Sequence, residues 1–132
     1  MRLKLRSCLA AVILAGGVLT GMPGPAQAAA IAALGDDEHV QEQRARYRSR
    51  LEQVAHILSS WSGIDIGLPA GGFYLWFDAE DGWAFAERLA VEGGALVSPG
   101  DFYGLGGSHN VRVAVVQTEA RIQRIGDRLG VH

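Results

Sequence analysis

Lysine and cysteine are almost missing from this sequence. Lys4 is the only lysine and Cys8 the only cysteine among the 132 residues. A single cysteine excludes an intrachain disulfide and a thiolate metal cluster. The net charge is only −2, which gives no electrostatic basis for binding nucleic acid. We therefore expect no metal site and no nucleic-acid partner.

The familiar nucleotide-binding and catalytic motifs are missing as well. There is no P-loop, no GxGxxG, no HExxH and no cysteine pair. The Gly104-Leu105-Gly106-Gly107 stretch has the glycines of a phosphate loop but lacks its Gly-Lys-Ser/Thr end. Of the 132 residues, 48% are hydrophobic and 20% are charged. This composition is typical of one globular domain with a core of its own.

The first 28 residues have the three parts of a secretory signal. A basic start is followed by an apolar run from Cys8 to Gly21, and Ala26-Gln27-Ala28 offers a small-residue cleavage site. The run is shorter than the roughly 20 residues that span a bilayer, so no stable membrane span is expected. A real signal, a buried helix, and a product of a displaced start or frame shift all remain open. We treat residues 1–22 as an apolar leader and residues 23–132 as the domain.

Residues 23–132 contain both helical and strand patterns of hydrophobic residues. These patterns predict an α+β fold, in which helices pack on one face of a small, mostly antiparallel sheet, preceded by an apolar N-terminal helix. Five aromatic or aliphatic residues in a row, Phe73 to Phe77, predict a strand covered on both faces. The predicted helices are residues 27–34, 36–61, 83–92 and 118–129, and the predicted strands are 64–66, 73–77, 95–97 and 111–116.

Arg112 is the only charge in the two predicted strands that flank a glycine-rich loop, residues 100–107. Its planar guanidinium matches a carboxylate or a phosphate with two parallel hydrogen bonds. The alternative is an arginine on the solvent face of an edge strand, which is the more common role of a lone strand charge. The residues alone leave both interpretations open.

Five segments, in order, resemble the C-terminal part of a class I/II aminotransferase, a pyridoxal-phosphate enzyme with the aspartate-aminotransferase fold. The amino-acid sequence of residues 33–40 and 99–104 most resembles that of succinyldiaminopimelate transaminases of lysine biosynthesis. The resembling segments are the arginine-rich helix after residues 36–40, PAGGFYLW at 69–76, VSPGDFYG at 97–104, VRVA at 111–114, and the closing helix with Arg128-Leu129.

This resemblance assigns a role to Arg112. In the family, the arginine on the strand after the PG..F loop binds the α-carboxylate of the substrate. The loop residues Gly100, Phe102, Tyr103 and Gly104 would line the substrate side of the pocket. Residues 23–132 would be the small domain of the aspartate-aminotransferase fold, which moves to close over an amino-acid or 2-oxo-acid substrate in a homodimer.

The resemblance also shows what is missing. These enzymes hold pyridoxal phosphate as a Schiff base on a lysine, and the MRLKLR setting of Lys4 does not look like the family's Ser-Lys motif. We therefore expect a catalytically incomplete fragment, with no catalytic residue and no cofactor bound by this chain alone. The alternative is a standalone or exported small α+β binding protein. The expected location is the cytoplasm, or outside it if residues 1–28 are a real signal peptide.

Overall fold

The computed structural model describes Gly21 and residues 23–132. The predicted apolar N-terminal helix lies outside these residues. Within them, helices and short strands form the predicted α+β class. The elements are α1 (Gly24–Gly35), α2 (Asp37–Ser62), β1 (Tyr74–Asp78), α3 (Gly82–Gly93), β2 (Ser98–Pro99), a 3₁₀ helix (Gly100–Tyr103), β3 (Asn110–Ala114) and α4 (Glu119–Arg128).

The described residues belong to two units, one that ends at Gln43 and one from Arg44 to His132. In the first, Pro25 lies in the first turn of α1, where a missing N–H costs nothing. Asp36 then begins α2, because its Oδ1 accepts a 2.9 Å hydrogen bond from the His39 backbone N–H. The acidic first turn of α2, as the sequence predicts, includes Asp37 and Glu38.

The second unit contains a three-stranded sheet in the order β1-β3-β2, and both pairings are antiparallel. This confirms the mostly antiparallel sheet. The register places Arg112 of β3 directly between Trp76 of β1 and Ser98 of β2. β3 is therefore the central strand, and Arg112 does not lie on an edge strand.

One face of this sheet forms the core. Side chains alternate between the two faces of a strand, and here the alternation separates buried from exposed residues along β1. Helices α2 and α3 supply the other side of the same cluster, so helices do pack on one face. The main core residues are Leu75, Phe77, Val111 and Val113 from the sheet and Leu51, Leu58, Phe85 and Leu89 from the helices.

The prediction that β1 is covered on both faces is wrong. Tyr74 and Trp76 are 41% and 44% exposed. Their rings pack against Phe73 and Tyr103 instead of against a helix layer. A continuous apolar run therefore reflects two separate environments here, a core on one side and an aromatic surface on the other.

Two predicted strands also differ from the structure. Residues 64–66 are not a strand, because the Ile64 and Ile66 N–H groups bond to the hydroxyls of Ser62 and Ser59. Residues 95–97 have no strand pairing either, and the strand instead consists of Ser98 and Pro99. The left-handed Gly94 that ends α3 turns the chain here, and β-pairing begins only at Ser98.

Candidate functional site

Arg112 lies half-buried in the middle of the sheet, on the face that no core helix covers. Its two neighbours in the register, Trp76 and Ser98, lie on the same face because directly paired residues point the same way. Tyr74, two residues before Trp76 on β1, joins them. The sheet therefore presents one guanidinium among aromatic and hydroxyl groups.

Aromatic rings hold the guanidinium in place. Its central carbon is 4.6 Å from the ring centroid of Tyr74 and 5.3 Å from that of Tyr103, within cation–π range. Nη1 donates a 2.9 Å hydrogen bond to the Tyr103 hydroxyl. The Tyr103 ring in turn packs edge-on against Trp76 at 5.7 Å. Together these four residues line a shallow concavity on the sheet.

The charge of Arg112 has no acidic partner in the part of the chain that the structure describes. The ion pairs found there join other residues: Arg48 with Glu52, Arg50 with Glu119, and His132 with Asp127. A fixed, half-buried cation without a carboxylate attracts an anion more strongly than a solvated surface arginine does. The arrangement is therefore suited to binding a carboxylate or a phosphate.

Tyr103 responds to this cation. Hydrogen bonds from the side chains of Ser98 and Arg112, with the positive charge of Arg112, lower the pKa of Tyr103 below its ordinary value of 10.0. These contacts stabilise the phenolate relative to the phenol. A lowered pKa of Tyr103 is therefore expected from its contacts with Ser98 and Arg112 together.

The loop after β2 is built into the sheet. Its backbone approaches itself so closely at Gly100 and Gly107 that a Cβ on either glycine would collide with the other's carbonyl oxygen. The Trp83 indole N–H donates a 2.9 Å hydrogen bond to Asp101 Oδ2, and the Trp83 ring packs on Phe102 at 5.4 Å. The loop is therefore held to the start of α3 as well as to β3.

The structure brings one of the four predicted loop residues into contact with Arg112. Tyr103 contacts the guanidinium, whereas Phe102 packs on Trp83 beside it. Gly100 supports the loop through its close contacts, and Gly104 follows with a φ of 129° and open space around it. These positions are consistent with a pocket wall, whose role stays a prediction.

Sequence reasoning missed three members of the site, Tyr74, Trp76 and Ser98. For Tyr74 and Trp76 a signal is present, since they alternate with the buried Leu75, whereas Ser98 has none. Placing these residues beside Arg112 also requires knowing that β1 pairs with β3, where Trp76 and Arg112 are thirty-six residues apart in the sequence. A register is a long-range property that the local pattern does not contain.

Two further findings limit the kinds of site present. Among Gly21 and residues 23–132, no group of three or more His, Cys, Asp or Glu side chains could hold a metal ion. A search of the same residues finds no helix with the length and apolarity required to cross a membrane.

Comparison with known proteins gives the family. The family model described as "Aminotransferase class I and II" matches residues 4–129. The chain belongs to the class I and II aminotransferases. This confirms the resemblance found in the sequence, and it implies pyridoxal phosphate as the cofactor of the family.

Three relatives of this aminotransferase chain cover most of its length. A "Probable aminotransferase" of Mycobacterium tuberculosis is 39% identical over 82% of the chain. The 4-dedimethylamino-4-oxo-anhydrotetracycline transaminase OxyQ of Streptomyces rimosus is 40% identical over 82%. An LL-diaminopimelate aminotransferase of Nitratidesulfovibrio vulgaris is 32% identical over 78%. The chain spans only 26%, 30% and 27% of the lengths of these relatives.

Solved structures agree on the fold. The apo structure of BacF from Bacillus subtilis superposes with a TM-score of 0.70 at 27% identity, over 82% of this aminotransferase chain and 30% of that chain. The α+β arrangement described above is therefore one that aminotransferases contain.

The described residues do not fit the family's cofactor. Aminotransferases hold pyridoxal phosphate on a lysine, and residues 21–132 contain no lysine. Lys4 is outside the described residues.

Proposed function

We propose that residues 23–132 are the small domain of an aminotransferase and that Arg112 binds the α-carboxylate of its amino-acid or 2-oxo-acid substrate. The loop with Gly100, Phe102, Tyr103 and Gly104 forms the wall beside it. The domain works in a homodimer with a cofactor-binding large domain, and without that domain this chain is catalytically incomplete. The amino-group transfer is a property of the complete enzyme.

The observation that supports this role most directly is the setting of Arg112. The Tyr74 and Tyr103 rings fix the guanidinium, and no described acid neutralises it. A guanidinium has five N–H donors, and the hydrogen bond to Tyr103 uses one of them. Two parallel donors remain for a carboxylate, which is the geometry that orients a substrate as well as binding it.

Tyr103 contributes a second contact in this proposal. Its hydroxyl oxygen accepts a hydrogen bond from Arg112, so its own O–H proton is free to be donated to the incoming carboxylate. The three groups then form one network, in which Arg112 supplies the charge and Tyr103 supplies direction. A phenylalanine at residue 103 would keep the ring and lose this contact.

For the substrate we propose N-succinyl-diaminopimelate, in lysine biosynthesis. The amino-acid sequence of residues 33–40 and 99–104 supports this substrate, and one relative is an LL-diaminopimelate aminotransferase. Sequence identity does not favour this substrate over others, because OxyQ, named a 4-dedimethylamino-4-oxo-anhydrotetracycline transaminase, is 40% identical and the LL-diaminopimelate aminotransferase is 32% identical. The choice therefore needs a direct assay.

Carboxylate binding can be measured on this chain. We expect L-glutamate to shift the Arg112 Nε–Hε signal in an ¹⁵N NMR spectrum, while L-glutaminol, which lacks the α-carboxylate, leaves it in place. Arg112→Gln, followed through the Trp76 indole N–H signal because the guanidinium signal is lost, should weaken binding by about 10- to 100-fold, the range for hydrogen bonds to a charged group. Arg46→Gln is the matched control, since it removes the same charge from an exposed helix position. Equal loss in both variants would contradict the proposal.

A chimera tests the substrate. The matched region of the Mycobacterium tuberculosis relative is replaced by residues 23–132, and transamination is assayed with N-succinyl-diaminopimelate, LL-diaminopimelate and aromatic donors. We expect the N-succinyl donor to give the highest kcat/KM. A higher value for another donor would overturn the substrate, and an unchanged kcat/KM in the Arg112→Gln chimera would overturn the carboxylate role.

A second candidate is a standalone or exported binding protein. The observation in its favour is an exposed apolar surface, with Trp83 52%, Phe102 65% and Leu105 fully exposed, which is typical of interaction surfaces. Mass spectrometry of the N-terminus in native cells separates the two candidates. A mature start near Ala29 supports export, whereas an intact Met1 supports a cytoplasmic product.

A further inference from the structure

A second cavity adjoins the concavity of Tyr74, Trp76 and Tyr103, and Arg112 lines both. We call it the arginine cleft. It has a volume of about 590 Å³ and lies between residues 93–98, the end of β3 and helix α4. Cavities of roughly 300–1,000 Å³ are the usual size of small-molecule sites. The cleft is the larger of the two cavities described here.

The cleft exists because the sheet is open at this corner. β2 pairs only with Val111 and Arg112, so the rest of β3 has no strand partner on that side within the described residues. Before β2, the left-handed Gly94 directs the chain away from β3. Leu96 is left 92% exposed. The apolar surface exposed at this corner is that of Leu96 and Val116, beside the buried side chains of the core.

The floor of the cleft is apolar. It is formed by side chains of all three layers that meet at this corner, the α2 and α3 helices, the sheet, and α4. An apolar ligand body placed here gains about 25 cal/mol for each Å² of apolar surface removed from water. The apolar lining residues are Val54, Ile57, Leu58, Leu89, Val97, Val113, Val115, Ile122 and Ile125.

The rim is cationic. Arg121, Arg124 and Arg128 lie three and four residues apart along α4 and so share one side of the helix. Arg112 lines the far end, and no Asp or Glu lines the cleft. Apolar floors with a few convergent polar groups are the usual composition of ligand sites. The positive rim favours an anionic ligand.

The acidic residues of α4 do not neutralise this rim. Glu119 lies 3.8 Å from Arg50, and Asp127 contacts Gln123 and His132. Within the described residues, Arg124 and Arg128 form no ion pair. Like charges on one side of a helix repel and destabilise it. A bound anion would remove that repulsion.

Contacts within the chain fix the positions of two of the arginine side chains. Arg121 Nη1 donates a 3.0 Å hydrogen bond to Gln117 Oε1. The Arg128 guanidinium lies against the backbone of Gly94, where a Cβ would collide with it. The glycine therefore lets the guanidinium reach across the mouth of the cleft. Arg124 lies between these two positions on the helix.

We propose that the arginine cleft binds an amphipathic anion. The apolar body of the ligand, a chain or ring of about the size that fits the cleft, lies on the floor, and its carboxylate or phosphate pairs with Arg124 and Arg128. The anion pairs with Arg124 and Arg128 and not with Arg112, which lines both cavities, and the site does not depend on the proposed transamination. Its ligand class is an acyl or aromatic acid, or the corresponding phosphate ester.

The test is an NMR titration of the full chain with sodium octanoate. We expect saturable shifts confined to residues 93–98, 112–117 and 121–128. The neutral analogue 1-octanol should bind at least tenfold more weakly, since it has the same chain without the charge. Octyl phosphate is the third ligand, and its affinity relative to octanoate decides between a phosphate ester and a carboxylic acid.

Variants make the site specific. Arg124→Gln with Arg128→Gln should weaken octanoate binding at least tenfold, whereas Arg46→Gln, outside the cleft, should change it less than twofold. Circular dichroism confirms that each variant is folded, and the single variants are used if the double variant is not. Equal affinity for octanol, shifts spread over the exposed aromatic residues, or equal loss in Arg46→Gln would overturn the proposal.

Discussion

The two faces of the sheet differ in almost every physical respect, although they are made by neighbouring residues. On one face, Leu75 and Val111 are completely buried under helices. On the other, Arg112 lies among Tyr74, Trp76 and Tyr103 with part of its surface open. A step of one residue along a strand moves a side chain from one environment to the other. Stability and the proposed chemistry can therefore be changed separately.

The largest expected effect is on the buried face. Leu75→Ala removes a fully buried side chain from the core and should lower the free energy of unfolding by about 3 kcal/mol, within the range for such cavities. Urea denaturation of the full chain measures it. Carboxylate binding should stay the same while the variant is folded. A loss below about 1 kcal/mol would show that the core collapses around the gap.

The reverse is expected of Arg112→Gln. This change should weaken carboxylate binding at least tenfold, but it should lower the free energy of unfolding by less than Leu75→Ala does, because Arg112 is half-buried and loses one hydrogen bond and two cation–π contacts but no ion pair. The same denaturation experiment serves for comparison. A destabilisation as large as that of Leu75→Ala would mean that the two faces are not separable.

Helix α3, which covers the buried face, allows a finer comparison. Asp81 Oδ1 accepts 3.0 Å hydrogen bonds from the N–H groups of Trp83 and Ala84. Asp81→Ala should therefore cost about 1 kcal/mol. Thr118→Ala is a matched control, since Thr118 precedes α4 without any side-chain capping bond. If both variants lose the same stability, the capping bonds of Asp81 are not the cause.

The smallest effect is a titration on the open face. The pKa of Tyr103 is lowered in the folded chain, so its phenolate forms at lower pH than that of an ordinary tyrosine. The stabilisation is present above the unfolded-state pKa and is lost as the pH falls through the folded-state pKa. Ultraviolet titration should show an early component that Tyr103→Phe removes. In Arg112→Gln this component should move to higher pH, and no movement would contradict the contact.

Local patterns predicted most of the fold and part of the site. The helices and the strands at β1 and β3 follow hydrophobic periodicity and β-propensity, which are local. Residues 95–97 have the same composition as a strand but line the arginine cleft, because Gly94 turns the chain before it reaches β3. The composition of residues 95–97 could not show that they remain unpaired, since their path depends on how α3 ends.

The site divides in the same way. Arg112 and Tyr103 were found through a motif, and the structure brings them into contact. Tyr74 and Trp76 were assigned to a doubly covered strand, because five apolar residues in a row do not reveal which of them lack a helix above them. Ser98 carried no signal at all. Its contact with the site depends on the pairing of Ser98 with Arg112.

The close crossing of Gly100 and Gly107 has a consequence for redesign of this pocket. Since neither position has space for a Cβ, the backbone path of the loop is fixed relative to β3, and the wall and the arginine keep one distance between them. Diversity in a library has to come from Asp101, Phe102, Tyr103 and Leu105, whose side chains are exposed. A search for altered specificity can therefore vary four positions and leave the loop's length and glycines unchanged.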